Sequence, residues 1–214
     1  MCGIVAVTED SYAGGLEHLL DLIEHRGPDG RGVVCLPGCS LGMVRLAILD
    51  PHNRSNQPMR RGSKHLVYNG ELYNFRELRE ELSAVGLEFK TEGDTEVVLA
   101  ALWYWGYDAC RRFRGMFTFA LWDEDSQELW LGRDRYGIKP LYWRNTNDGH
   151  LAAASEVRAL QSLQPTPLRK ECLAEYRRFG SVLSGTIRDR IQELAPGSVL
   201  VHAAGEQRID AFGV

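Results

Sequence analysis

Met1-Cys2-Gly3-Ile4-Val5-Ala6-Val7 opens the chain, and its reading decides the rest. Residues 4–7 form an unbroken apolar run, which predicts a strand buried on both faces. Such a strand ties down a terminus that would otherwise be mobile. Loss of Met1, which the small residue behind it suits, puts a thiol and an α-amine on one residue. A free α-amine titrates at about 7.7–8.0 and a free thiol near about 8.5. At neutral pH part of the amine is then an unprotonated base beside a thiol that still holds most of its protons. Nucleophilic catalysis needs that pairing. By itself Cys2 reads equally well as a small buried hydrophobe, so the decision rests on the remaining residues.

With 214 residues the chain is long enough for one sizeable core, and 44% hydrophobic and 25% charged residues place it among globular domains. The net charge of −4, without a basic block, argues against a nucleic-acid partner. The longest apolar stretch, 97–105, falls short of the about 20 residues a bilayer span needs. No basic region precedes an apolar one at the start, and a cleaved signal would remove Cys2, so a cytoplasmic protein with no membrane partner is expected. The cysteines, Cys2, Cys35, Cys39, Cys110 and Cys172, are odd in number and scattered, which argues against a disulfide framework. Cys35 and Cys39 have loose metal spacing without a Cys or His pair to complete it. A turn carrying two thiols is the expectation there, and no metal site.

Moving outward from the first strand, Leu16, Leu19, Leu20 and Ile23 fall on one helical face, which Gly27-Pro28 stops. Arg26-Gly27-Pro28-Asp29-Gly30 reads as a tight turn. Strands follow at 33–36 and 41–49 around Pro37-Gly38. In the second, Arg45 interrupts an apolar run. Burying a guanidinium without a partner costs several kcal/mol, so Arg45 either meets a protein carboxylate or faces a cavity that receives an anion. Residues 50–62 are a long connection with the character of a flap. At 66–68, a strand runs into Asn69-Gly70. That dipeptide is a strong hairpin signal. Its alternative reading is a two-donor oxyanion hole at a strand end, with the missing Cβ of Gly70 letting a substrate approach.

Asn74 and Glu77 suggest a capping box over a helix whose buried stripe is Phe75, Leu78, Leu82 and Val85, ended by Gly86. Asp94 is a candidate N-cap for the next helix, with Val98, Ala101, Leu102 and Trp105 on one face. Beyond it the chain turns β-rich, with strands at 115–123, 128–132, 141–144 and 151–154. The charged connection at 132–140 reads as a solvated loop or a docking surface. Short helices are expected at 155–160 and 168–179, and a closing hairpin at 194–201 turning at Pro196-Gly197. No internal repeat or domain boundary is evident. The pattern is α+β: a four-layer αββα sandwich of two antiparallel sheets, or another α+β packing.

Several strings then match a known family: MCGIV at 1–5, HRGPD at 25–29, RLAIL at 45–49, NQPM at 56–59, YNGELYN at 68–74, GDTE at 93–96, FRGMF at 113–117, RDRYGIKPLY at 133–142 and ASE at 154–156. In that order, through nearly the whole chain, they resemble the class II glutamine amidotransferase domain, a member of the N-terminal-nucleophile hydrolases. The wording is most similar to the glutaminase half of glutamine-hydrolysing asparagine synthetase. The resemblance implies the αββα sandwich over a single domain, 1–214. It implies Cys2 as nucleophile, its freed α-amine as base through water, and Asn69 with Gly70 as the oxyanion hole. Arg45 would anchor the α-carboxylate of L-glutamine, with Leu46, Ala47, Ile48 and Leu49 alongside, and Glu71 and Asp94 would hold the α-ammonium. No metal or cofactor is expected in this domain. The resembling enzymes continue into an ATP- and Mg-using synthetase domain with a pyrophosphate loop. Ser184-Gly185-Thr186 is the nearest string and is too short. A synthetase domain or subunit is therefore the expected partner, docking around 133–140, with a homodimer also open. Aspartate is the default ammonia acceptor. The alternatives are a catalytically silent interaction platform and an N-terminal-nucleophile amidase for another substrate.

Overall fold

The first strand, β1 (Gly3–Val7), lies inside a sheet and is buried along its whole length. It pairs antiparallel with β3 (Cys39–Arg45) on one side and β9 (Leu151–Ala154) on the other. β2 (Gly30–Leu36) extends the sheet past β3; β8 (Tyr142–Asn145) and β10 (Gln192–Glu193) extend it past β9. The computed structural model describes residues 1–9, 13–183 and 185–213; Ser184, and with it part of the Ser184-Gly185-Thr186 string, lies outside the described residues.

The second sheet contains β4 (Met59–Arg61), β5 (Lys64–Leu72), β6 (Gly115–Asp123), β7 (Glu128–Arg133), β11 (Ser198–Ala203) and β12 (Glu206–Ala211), in the spatial order β12-β11-β7-β6-β5-β4. The strands in it pair antiparallel. Helices α1 (Ala13–Ile23) and α4 (Val157–Leu163) pack on the first sheet, and α2 (Phe75–Ala84) and α3 (Asp94–Trp105) on the second. A further helix, α5 (Cys172–Phe179), precedes β10. This is the αββα sandwich expected from the sequence.

The alternation of β1 explains the layers. Ile4 and Ala6 enter the core between the sheets, with Leu41, Met43, Val67, Leu131 and Leu200. Val5 and Val7 point the other way, into the core that Leu16, Leu20 and Ile23 of α1 share with Ala159 and Leu160 of α4. Both faces of the strand are therefore apolar, which is why its sequence does not alternate. Gly42 lets α1 sit close on β3, since a Cβ there would lie 3.0 Å from Leu20 Cδ1.

Several expectations need correction. The strand at 41–49 stops at Arg45, because Arg45 O accepts from Asp29 N–H and the following N–H groups turn to Cys2 and Asp29 instead of a strand. Asn69-Gly70 makes no hairpin: β5 runs through it, with Asn69 opposite Thr118 and Gly70 opposite Phe117. The Asn74 side chain forms no capping box; its amide donates to Arg112 O and its carbonyl accepts from Arg114 N–H, pinning the approach to β6. Val85 is exposed rather than part of the buried stripe. The closing hairpin is β11–β12, whereas Pro196-Gly197 carries the chain from one sheet to the other.

Leu20 is fully buried between α1 and the first sheet. Leu20→Ala is expected to lower the unfolding free energy by about 2–5 kcal/mol, read from urea denaturation. A loss well under 1 kcal/mol would contradict the packing that holds β1 in place.

Candidate active site

Cys2 precedes β1 and packs on the edge of the inter-sheet core. Two local contacts fix it. Its Sγ lies 3.3 Å from the Leu46 N–H that donates to it and 3.6 Å from Leu46 O. Its carbonyl accepts from Arg26 Nε at 3.0 Å. Arg26 belongs to the 3-10 turn Glu24–Arg26 that follows α1, and it is held in turn by Glu156, which also takes contacts from His25 and Arg158. Gly27 is needed behind Arg26 because a Cβ there would lie 2.4 Å from the Val44 carbonyl carbon. Asp29 completes the turn by accepting from Ala47 N–H at 2.9 Å. The HRGPD string is thus the clamp that presses the segment after β3 against the thiol.

A cavity of about 200 Å³ opens on Cys2, with Arg45, Asn69, Gly70, Glu71 and Asp94 around it. Leu46, Ile48 and Leu49 line it as well, Ile48 and Leu49 with exposed side chains; Ala47 contributes its backbone to the clamp. The structure therefore gathers the residues singled out from sequence, except Ala47, around one opening.

β5 supplies the polar wall. Alternate N–H groups of a strand face the same edge. Tyr68 N–H donates to Gln57 Oε1 at 2.6 Å and Leu72 N–H to Asp94 Oδ2 at 2.8 Å. Gly70 N–H lies between them on that edge and opens on the cavity. Asn69 is 1% exposed, and its side-chain nitrogen is buried with no hydrogen-bond partner among the described residues. Glycine at position 70 answers to strand pairing: a Cβ would lie 2.5 Å from Met116 O and 2.7 Å from Phe117 Cβ on β6. That corrects the expectation that the missing Cβ serves substrate approach.

Arg45 is 7% exposed and meets only neutral oxygens: His52 O, Asn56 Oδ1, Leu49 O and Asp50 O. No protein carboxylate pairs with it among the described residues. The first sequence alternative for Arg45 is thereby removed, and the guanidinium borders the cavity with its charge uncompensated. The carboxylates stand on other elements. Asp94 is the first residue of α3, with Gly93 and not Asp94 at the N-cap; its Oδ2 accepts from Tyr68 Oη–H at 3.1 Å as well as from Leu72. Burial raises the Asp94 carboxyl above its ordinary value, against the pull of those donors. Glu71 is raised by burial and by the neighbouring Asp94, while Lys139 lowers it. Burial and Asp94 push the Tyr68 hydroxyl well up.

Sequence reasoning missed Lys139, Gln57 and Thr95. Lys139 was absorbed in a connection read as a solvated loop or a docking surface, yet Arg133, Asp134 and Lys139 are buried there and only Tyr136 and Ile138 are prominently exposed. The usable signal was a Lys flanked by Ile138 and Pro140, directly before a buried strand. Among the described residues, no helix is long and apolar enough to cross a membrane, and no group of three or more His, Cys, Asp or Glu is placed to hold a metal ion.

A cysteine at the head of an inner strand of an αββα sandwich, facing unpaired donors, defines an N-terminal-nucleophile hydrolase fold. A solved structure described as glutamine phosphoribosylpyrophosphate amidotransferase from B. subtilis shares it, with a TM-score of 0.77 at 21% identity over 99% of this chain and 49% of that one. The model of the glutamine amidotransferase domain matches residues 1–212. The chain belongs to the glutamine amidotransferase family. It is 36% identical over 209 residues to asparagine synthetase [glutamine-hydrolyzing] 1 of Bacillus subtilis, covering 92% of this chain and 33% of that protein. It is 42% identical over 185 residues to a putative asparagine synthetase of Mycobacterium bovis, covering 76% of this chain and 28% of that one. The chain thus spans about a third of the length of these relatives.

The raised Asp94 carboxyl has a measurable consequence. The native state keeps a proton there that the unfolded chain releases at about 3.9. Its contribution to stability therefore declines as pH rises from that value through the raised native one. Asp94→Asn removes the titration. The unfolding free energy of the variant minus that of wild type is expected to increase with pH across this interval in urea melts. A difference that falls with pH would refute the assignment.

Proposed function

We propose that this chain hydrolyses the side-chain amide of L-glutamine at Cys2, and that the ammonia feeds an ATP-dependent amidation of the asparagine-synthetase kind. The observation that carries the reading is the orphaned Asn69 amide beside the Cys2 thiol. A buried donor without a partner costs about 1–3 kcal/mol, and an oxygen that becomes anionic during reaction would satisfy it. Gly70 N–H, on the same stretch of β5, is the second donor.

In this reading Met1 is removed and the α-amine of Cys2 takes the thiol proton, through water. The sulfur attacks the amide carbon, and the charge that gathers on its oxygen is met by Asn69 and Gly70. The protonated amine returns its proton to the leaving nitrogen, which departs as ammonia. Water then attacks the glutamyl thioester, gives a proton to the amine and releases glutamate. Arg45 would take the α-carboxylate of glutamine, alongside Leu46, Ala47, Ile48 and Leu49, and Glu71 and Asp94 its α-ammonium. A cavity with one cation and two carboxylates at its rim suits a zwitterionic amino acid better than an apolar amide. Each step uses groups of this chain alone. The whole chain acts as one amidotransferase unit in this proposal. ATP and Mg belong to the synthetase part, covalent or separate, and relatives about three times as long support such a partner. Free cysteines fit a cytoplasmic setting.

Intact mass and an ammonia-release assay test the reading together. Processed wild type is expected to turn over glutamine, and Cys2→Ala to show none of that activity. Asn69→Ala should lower kcat by about 10²–10³ with a smaller change in KM. Glutamine turnover by Cys2→Ala at the wild-type rate would eliminate the mechanism.

A further inference from the structure

Lys139 is 5% exposed, lines the cavity beside Cys2 and Glu71, and its Nζ has no hydrogen bond or ion pair to any described residue. The side chain is packed away along its length and only its ammonium reaches the cavity, as long cationic side chains commonly do. The chain constructs this placement. Asp134 is fully buried, and its carboxylate accepts four backbone N–H groups: Tyr136 and Ile138 on Oδ1, Phe117 and Lys139 on Oδ2. Arg133 Nε closes the turn by donating to Lys139 O at 2.9 Å. The nearby acid is thus used up on backbone and leaves the ammonium free for the cavity.

We propose that Lys139 is the counter-cation of the nucleophile, its ammonium favouring the Cys2 thiolate and the ionised form of Glu71. The proposal rests on the reading of Cys2 as attacking group. The other charged groups near the thiol hold contacts of their own, although Arg45 meets neutral oxygens only and Arg26 Nη2 has no partner among the described residues. Arg26 donates to the Cys2 carbonyl and to Glu156, and Arg45 to the 49–56 loop. Asp94 accepts from Tyr68 and Leu72 on the α3 side, and Tyr68, pushed well up, stays neutral. Burial lowers the Lys139 amine below its ordinary value, aided by the Arg26 charge, while Glu71, Cys2 and Asp134 act to keep it charged. A thiol that ionises in this cavity therefore finds its compensating charge on Lys139. The α-amine of processed Cys2 can then serve as proton carrier without also having to remain as the thiolate's cation.

The test measures alkylation of Cys2 by iodoacetamide against pH, followed by peptide mass, in processed wild type, Lys139→Met, Lys139→Gln and Lys139→Arg. Loss of the cation is expected to raise the alkylation midpoint by about 1 pH unit. At pH 7 the thiolate fraction then falls about tenfold, while each thiolate becomes about threefold more nucleophilic. Net alkylation should be about threefold slower, and glutaminase kcat lower in the same direction. Lys139→Arg should restore the wild-type midpoint. Lys139→Gln gives the same comparison should the apolar variant fail to fold. Equal midpoints in wild type and the uncharged variants, or an Arg variant that behaves like the Met variant, would overturn the proposal. A wild type that shows the Lys139-dependent midpoint but leaves glutamine intact would overturn the glutaminase reading and not this one.

Discussion

The arrangement depends on the contact between Cys2 and the backbone that leaves β3. Leu46 N–H reaches the thiol at 3.3 Å because β1 and β3 pair in register from Gly3 opposite Val44. A chain end frays unless something holds it, and here a strand on either side and an apolar core on either face do so. Each hydrogen bond contributes only about 0.5–1.5 kcal/mol net. Burial of β1 supplies most of the restraint, and the Arg26 and Leu46 contacts decide where the sulfur points.

Around that fixed sulfur the cavity is electrostatically incomplete. Arg45 has neutral acceptors only, Asn69 an unused amide, and Lys139 an unpaired ammonium. Opposing them, Glu71 and Asp94 are crowded and raised by burial. A core assembled for stability alone would pair these groups internally. Leaving them unpaired costs stability, and the proposed substrate, a zwitterion with a polar side chain, would supply the missing partners. The supporting shell is more fully paired: Asp134 spends both oxygens, Glu156 takes Arg26 and Arg158, and Asp29 and Gln57 each hold a backbone N–H, though Arg26 Nη2 has no partner among the described residues.

The chain's local signals and its site agree unevenly. The apolar run of β1, the stripe of α1 and the β-rich second half were legible because periodicity reports burial directly. Arg45 stood out because a cation in an apolar strand demands a partner, and Cys2 because a thiol and an amine can share one residue. Asn69-Gly70 was ambiguous, since the dipeptide suits a turn and only the pairing with β6 keeps it extended. Lys139 was hidden because its burial follows from Asp134, a residue that on sequence looks like one more solvated charge.

What the sequence determined by itself was the α+β class, the buried strand behind Cys2, and Arg45 as a cation with an unmet electrostatic need. Tertiary structure alone decided that the layers are four, that the site groups share one cavity, that Leu46 lies against the sulfur, and that a charged-looking loop is a buried brace. The reason is physical: periodicity and composition encode which face of an element is apolar, whereas the direction of a backbone N–H or an ammonium depends on which strand arrives beside it from far along the chain.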